Sequence, residues 1–199
     1  MNKDLDLNLR ADPYEVFDAW YAHALDTDPL ANAMSLATAT ALGIPSCRVV
    51  LLKGVVDGDF RFFTNYDSRK GADLAVNPQA ALLFLWHSPK RQVRIEGGVE
   101  PLSEADSQAY FASRDRDSQL GAWVSEQSKA VASRDVLLKD LDVIRKRFEG
   151  TTVACPPNWG GYGLTPRSFE FWQGRPARLH HRTLFTRQAA AWQAVHLAP

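Results

Sequence analysis

The stretch Arg48-Val49-Val50-Leu51-Leu52-Lys53, returning through Phe62-Phe63-Thr64-Asn65 to Ser68-Arg69-Lys70, reads as strand, turn, strand and helix start. An apolar run carries a cation at each end, and Val56-Asp57-Gly58-Asp59 supplies the hairpin turn. Side chains alternate faces along a strand, so Arg48 and Lys53 face opposite sides of a regular one. One elongated ligand still reaches both if it lies across the strand end or if a bulge re-aims one of them. Ser68-Arg69-Lys70 adds a hydroxyl, two cations and the free N–H groups of a helix start, a combination that suits phosphate. Taken alone, the same residues also read as a hairpin with ordinary surface charges.

Outward from this hairpin the pattern stays rich in strands. Residues 34–40, 46–53, 60–65, 80–87 and 91–102 have strand character, with Leu82 to Trp86 a continuous apolar run and Val93, Ile95 and Val99 alternating with polar neighbours. Only one small helix, 68–76, interrupts them before Asn77-Pro78. Such short connections are the order of a meander or Greek-key barrel, and not the strict strand–helix alternation of a parallel sheet. Before them, Asp12-Pro13-Tyr14-Glu15 caps a helix on which Val16, Phe17, Trp20, Ala24 and Leu25 share a face.

After them, a capped helix starts at Ser103 and runs to about Ser113. Residues 114–118 form a charged link, and 119–124 add a helical turn or two. The clearest helix is 133–148, where Leu137, Leu141, Ile144 and Phe148 repeat at helical spacing before Gly150. Residues 155–161 read as a rigid loop, Gly97-Gly98 and Gly160-Gly161 as bulges or turns, and 163–172, 182–188 and 192–197 as three more strands. The expectation is one domain over 1–199 with a flexible 1–10, mainly β, an antiparallel Greek-key-like barrel with helices packed around it.

The totals narrow the function. At 199 residues the chain buries an ordinary core, and its zero net charge gives no electrostatic case for nucleic acid or an anionic membrane. Cys47 and Cys155 are far apart and no metal-ligand spacing is present, so neither a disulfide framework nor a metal site is expected. Met1 to Leu9 lacks the apolar region of a signal peptide, and no run approaches membrane-span length. The expectation is a soluble cytoplasmic protein.

Three further pieces can carry chemistry. Tyr110, Arg114 and Ser118 stand four residues apart, which on a helix brings a phenol, a guanidinium and a hydroxyl to one face. Gln127-Ser128 offers two small polar donors. Arg178, His180 and Arg182, after Phe171-Trp172-Gln173-Gly174, share one face if the segment is an alternating strand, a concentration of charge that a barrel interior holds only with an anion. Each piece alone also reads as an exposed helix end, a loop or a surface strand. No P-loop, nucleophile elbow or acid/base dyad is visible.

As an ordered set these pieces resemble the pyridoxine/pyridoxamine 5′-phosphate oxidase family. The resemblance is carried by Arg48 to Lys53, Phe63-Thr64-Asn65, Ser68-Arg69-Lys70, Trp86-His87 with Arg91-Gln92-Val93, and the run from Ser113 to Ser125. It continues through Gln127-Ser128, Trp159-Gly160-Gly161, Glu170 to Gly174, Arg178-Leu179-His180 with Arg182, and the ending Leu197-Ala198-Pro199. It implies a split β-barrel homodimer with FMN at the subunit interface, oxidising pyridoxine 5′-phosphate or pyridoxamine 5′-phosphate with O2. The matching flavin positions are Arg48, Val49, Val50, Leu51, Leu52 and Lys53, then Phe63, Thr64, Arg69 and Lys70, and finally Gln92, Gln127, Ser128, Trp172 and Arg182. The matching substrate positions are Lys53, Tyr110, Arg114, Ser118, Arg178 and His180, with Arg178 and His180 as the catalytic pair.

The residues agree with that implication. Two phosphates need two groups of cations and hydroxyls, and Arg48/Arg69/Lys70 and Lys53/Tyr110/Arg114/Ser118 supply them. Two departures stand out. His181 occupies the place where the family commonly has Asp, and the N-terminal Arg/Tyr segment that folds over the substrate in longer members has no counterpart before the first helix. The lid is therefore expected to be missing or built differently. The alternatives are a related flavin enzyme of the phenazine type and a non-catalytic flavin- or pyridoxal-phosphate-binding protein.

Overall fold

A computed structural model describes residues 9–189 and 191–199; residues 1–8 of the expected flexible N-terminus lie outside the described residues. Nine strands among the described residues form one antiparallel sheet: β1 (Ala33–Ala39), β2 (Pro45–Leu51), β3 (Val55–Val56), β4 (Asp59–Asn65), β5 (Gln79–Trp86), β6 (Arg91–Pro101), β7 (Trp159–Gln173), β8 (His181–Gln188) and β9 (Ala191–His196). The order is β2-β1-β5-β6-β7-β4-β3, with β8 on β7 and β9 on β8. β7 explains how the barrel splits. β6 runs along one of its edges throughout, while the other edge pairs with β4 over its first half and with β8 over its second. The expected antiparallel split barrel is therefore present.

Alternation along the strands builds the core. On β4, Phe60 and Phe62 point inward and are fully buried, as are Leu36 on β1 and Leu82 and Phe84 on β5. Helix α1 (Pro13–Thr27) lies over them, its start capped by Asp12, whose carboxylate accepts from the Tyr14 N–H at 2.8 Å. Phe17 meets Phe60 and Phe84 edge-on, and Trp20 meets Phe171. Leu25, expected on the buried face, is exposed; the apolar stripe ends at Ala24.

The odd face of β4 serves a second, smaller cluster. Phe63 points away from the main core and joins Phe111, Leu120, Phe148, Val153 and Trp159. Helices α3 (Glu104–Ser113), α4 (Arg116–Val124) and α5 (Arg134–Arg147) carry most of it. Arg116 ties α4 to the end of α5 by donating to the carbonyls of Phe148, the residue that caps α5, and of Thr151 just beyond it.

Three local expectations are corrected. Trp159 to Gly161 do not form a loop, because β7 already begins at Trp159. Gly160 and Gly161 sit inside that strand for lack of space: a Cβ on Gly161 would lie 2.5 Å from Leu102 and 2.7 Å from Phe63. Gly97, by contrast, does mark a bulge, with a register shift against β7 between Glu96 and Gly97. The link 114–118 is shorter than expected, since Asp115 caps α4 at Arg116.

Candidate active site

Helix α2 (Arg69–Val76) starts beside the end of β4, where Ser68 accepts from the Gly71 N–H. This turn sinks Lys70 into the protein, 7% exposed. Its Nζ donates to Gln127 Oε1 at 2.6 Å, Thr64 Oγ1 at 2.9 Å and Ser68 Oγ at 3.1 Å, all neutral acceptors. Burial, and then the Arg48 guanidinium, push the Lys70 pKa down to about 8. A buried ammonium surrounded by neutral dipoles is a site prepared for an anion.

Arg48 is held by its own strand and its neighbour. It donates to the Leu36 carbonyl at 3.1 Å, to Thr38 Oγ1 at 2.7 Å and to Ser46 Oγ. Behind these hydroxyls stands Asp73 of α2, whose Oδ2 accepts from Thr38 at 2.6 Å and Ser46 at 2.8 Å and lies 3.9 Å from Arg48. Burial raises the Asp73 carboxyl, but the two hydroxyls and the guanidinium outweigh it and hold the pKa below the ordinary value.

These residues open onto a cavity of about 1110 Å³. Arg48, Val49, Val50, Leu51 and Lys53 line it from β2 and the turn beyond. Arg48 and Lys53 both reach it because β2 ends at Leu51, and Lys53 pairs its backbone with Arg61 instead of continuing the ladder. Phe63, Thr64, Arg69 and Lys70 line a second side, and Gln127 and Ser128 a third. Leu52 is the exception: its side chain is buried in the main core.

Tyr110, Arg114 and Ser118 line the same cavity. One continuous helix does not bring them there. Arg114 has extended backbone at φ −73°, ψ 153°, α3 stops before it, and a new helix begins after Asp115. The bend keeps the three on one wall, with Ser118 in the first turn of α4. Phe63 stacks on Tyr110 with ring centres 3.9 Å apart, and Trp159 lies parallel to both. Trp159 lines the cavity as well, though the sequence assigned it no role at the site.

The remaining candidates gather elsewhere on the chain. Gln92, Trp172 and Arg182 line a cavity of about 240 Å³ together with Glu170 and Pro199. Glu170 Oε1 accepts from Arg182 Nε at 2.8 Å, and Oε2 pairs with Arg94. Arg182 also donates to the Ala198 carbonyl at 2.8 Å, which docks the C-terminus there.

The expected alternation of Arg178, His180 and Arg182 on one strand is wrong. Pro176 opens a 3₁₀ turn through Arg178, with Ala177 at φ 56° and Arg178 at φ 62°, and β8 begins only at His181. Arg178 is exposed, so no barrel interior holds this charge. His180 packs on Trp172 with ring centres 4.6 Å apart, and its Nδ1 accepts from the Arg175 N–H at 3.1 Å. His181 stands exposed opposite Gln173. No cluster of three or more His, Cys, Asp or Glu side chains suited to a metal occurs among the described residues.

Comparison with known proteins bears on this geometry. The family model described as pyridoxamine 5′-phosphate oxidase matches residues 26–148, and the one described as pyridoxine 5′-phosphate oxidase C-terminal dimerisation region matches 159–199. The chain is 51% identical over 189 residues to the pyridoxine/pyridoxamine 5′-phosphate oxidase of Sphingopyxis alaskensis, covering 94% of this chain and 88% of that one. It is 53% identical over 192 residues to the Burkholderia cenocepacia protein of the same name, covering 94% and 89%. PhzG from Burkholderia lata, solved with tetrahydrophenazine-1-carboxylic acid, superposes with a TM-score of 0.89 at 29% identity over 98% of this chain and 95% of that one. A pyridoxamine 5′-phosphate oxidase-related, FMN-binding protein from Nostoc punctiforme shares the fold, with a TM-score of 0.76 at 17% identity over 95% and 99%.

Proposed function

This chain belongs to the pyridoxine/pyridoxamine 5′-phosphate oxidase family, and from that premise we propose that it oxidises pyridoxine 5′-phosphate or pyridoxamine 5′-phosphate to pyridoxal 5′-phosphate. O2 is consumed and H2O2 formed; the amine also takes up water and releases ammonia. The observation that carries the reading is one cavity of about 1110 Å³ lined by two groups of phosphate-binding donors. Neither Lys70 nor Arg114 forms a salt bridge among the described residues, and the buried Arg114 Nη1 has no hydrogen-bond partner there. That donor set fits FMN and a second phosphate ester.

Lys70, Arg48, Arg69 and Thr64 would hold the FMN phosphate, with Gln127 and Ser128 beside them. The exposed Val49 and half-exposed Leu51 offer apolar surface to a flat ring. Bound there, FMN supplies the two-electron acceptor that passes electrons on to O2. Lys53, Tyr110, Arg114 and Ser118 grip the substrate phosphate and so fix where its ring lies. Because His180 Nδ1 accepts a backbone hydrogen bond, the neutral imidazole carries its proton on Nε2 and donates from there. Arg178, exposed on its turn, orients the substrate oxygen or nitrogen.

Gln92, Trp172 and Arg182 complete the site from a second copy of the chain. Trp172 and Arg182 lie within the segment matched to the dimerisation region, and the exposed Val49, Leu85, Leu179 and Val195 leave apolar surface for a partner. No helix among the described residues is long and apolar enough to cross a membrane. We assign the protein to the cytoplasm, which suits its two unpaired cysteines.

The likeness to PhzG favours a second reading, oxidation of a phenazine precursor. A phenazine-type carboxylate would give Arg114 one singly charged group to pair with, whereas Lys53, Tyr110, Arg114 and Ser118 together match the three oxygens and near-double charge of a phosphate ester, which favours the first. The test is direct. The purified protein should be yellow, lose that colour when pyridoxine 5′-phosphate is added without oxygen, and form peroxide in air. A colourless protein that takes up no FMN would refute the reading.

A further inference from the structure

Arg114 is a cation seated on aromatic rings. Its guanidinium carbon lies 4.7 Å from the ring centre of Trp159 and 5.6 Å from that of Phe111. It forms no salt bridge among the described residues, and its buried Nη1 has no hydrogen-bond partner there. Trp159 is itself 9% exposed and fixed in place. Tyr110 lies parallel to it at 6.2 Å, Phe63 at 5.6 Å, and Phe111 meets it edge-on at 5.0 Å. At the other end of this slab, Lys53 Nζ stands 5.7 Å from the Tyr110 ring centre. Two cations of the proposed substrate-phosphate group thus rest on one aromatic stack.

The contrast with Arg48 gives the arrangement its meaning. Arg48 is fixed by hydroxyls and a carbonyl with Asp73 behind them. A carboxylate partner holds a guanidinium firmly, but it cancels charge and occupies the N–H groups that a phosphate needs. An aromatic face attracts the cation through its quadrupole and leaves those N–H groups open.

We propose that Trp159 is a positioning residue for substrate recognition: its π face holds the Arg114 guanidinium with its donors turned to a phosphate ester. The proposal rests on the reading that Arg114 binds the substrate phosphate. Gly160 and Gly161, which admit Tyr66 and Phe63 against β7, let the strand carry Trp159 close enough to join the stack.

The test separates electrostatics from packing. In the FMN-loaded enzyme, Trp159 is replaced site-specifically by tryptophans bearing successive ring fluorines, which weaken the quadrupole and barely change the shape. The KM for pyridoxine 5′-phosphate should rise stepwise, roughly tenfold across the series, with kcat and FMN content unchanged. Trp159→Leu should raise KM at least as far; if it fails to fold, the fluorinated series still decides. A flat KM across the series, or FMN content falling in step with KM, would overturn the proposal. If the unmodified enzyme does not oxidise pyridoxine 5′-phosphate at all, the functional reading fails first, and the two failures are distinct.

Discussion

Lys70 donates to Gln127 at 2.6 Å, joining the first turn of α2 to the segment after α4 across 57 residues of sequence. Gln127 accepts from Thr64 at 3.1 Å as well, so one amide oxygen serves both residues proposed to meet the FMN phosphate. The ammonium is buried without a carboxylate, and its pKa falls to about 8.

A pH dependence of unusual sign follows. As pH rises through about 8, Lys70 loses its proton and a phosphate loses an attraction. FMN affinity, measured by fluorescence quenching with apoprotein, should fall by up to about tenfold per pH unit above that point. Stability of the apoprotein should move the other way. With the folded pKa below the unfolded one, the unfolded chain binds more protons between about 8 and roughly 10.4, so unfolding becomes harder as pH rises through that window. Lys70→Met should flatten both profiles.

Asp73 sets the opposite limit. Its folded pKa is lowered, so its contribution is complete above the unfolded carboxyl value of roughly 3.9 and is lost as pH falls through the folded value. Asp73→Asn leaves Arg48 beside Lys70 without a compensating charge and should cost about 2–3 kcal/mol in urea unfolding at pH 7. The variant should also show a shallower acid limb than the parent. A parallel acid limb would mean that Asp73 does not carry that dependence.

How much of this was legible depends on range. Ser68-Arg69-Lys70 could be read because a cap, two cations and a helix start are all local. The four-residue step from Tyr110 to Ser118 named three residues that do line one cavity, but a bend brings them there and not one helix face: the helix ends near Ser113 as its sequence suggested, Arg114 is extended and Asp115 caps the next helix. The alternation from Arg178 to Arg182 failed although Pro176 was visible; a proline followed by two left-handed residues starts a turn, not a strand. The roles of Asp73, Glu170 and Trp159 were out of reach. They depend on which strands pair, such as Leu36 opposite Arg48 and Arg94 opposite Glu170, and a single sequence does not display register.

The role proposed for Arg178 would separate turnover from cofactor binding. It is exposed, far along the chain from the Lys70 group, and held by a turn with two residues at positive φ. Arg178→Ala removes the guanidinium and keeps a residue with the same backbone demands. Turnover of pyridoxine 5′-phosphate should drop roughly tenfold or more, while the ratio of visible to ultraviolet absorbance, which reports bound flavin, should stay at the parent value. Equal losses of both would contradict the assignment.

Glu170 is the hinge of the second group. One carboxylate, 6% exposed, pairs with Arg182 through Oε1 and with Arg94 through Oε2. Removing it leaves two guanidinium groups close together and loosens the Arg182 that docks Ala198. Glu170→Ala should therefore destabilise the fold by about 3 kcal/mol and, on the reading that Arg182 faces the flavin, cause FMN to be lost during gel filtration. The repulsion is separable from the lost brace. Adding Arg94→Ala to Glu170→Ala removes one of the two like charges, so the double variant should recover part of the stability by thermal melting. It should not recover FMN retention, because Arg182 still lacks its brace. Full recovery of both would mean that charge repulsion alone, and not the orientation of Arg182, explains the loss.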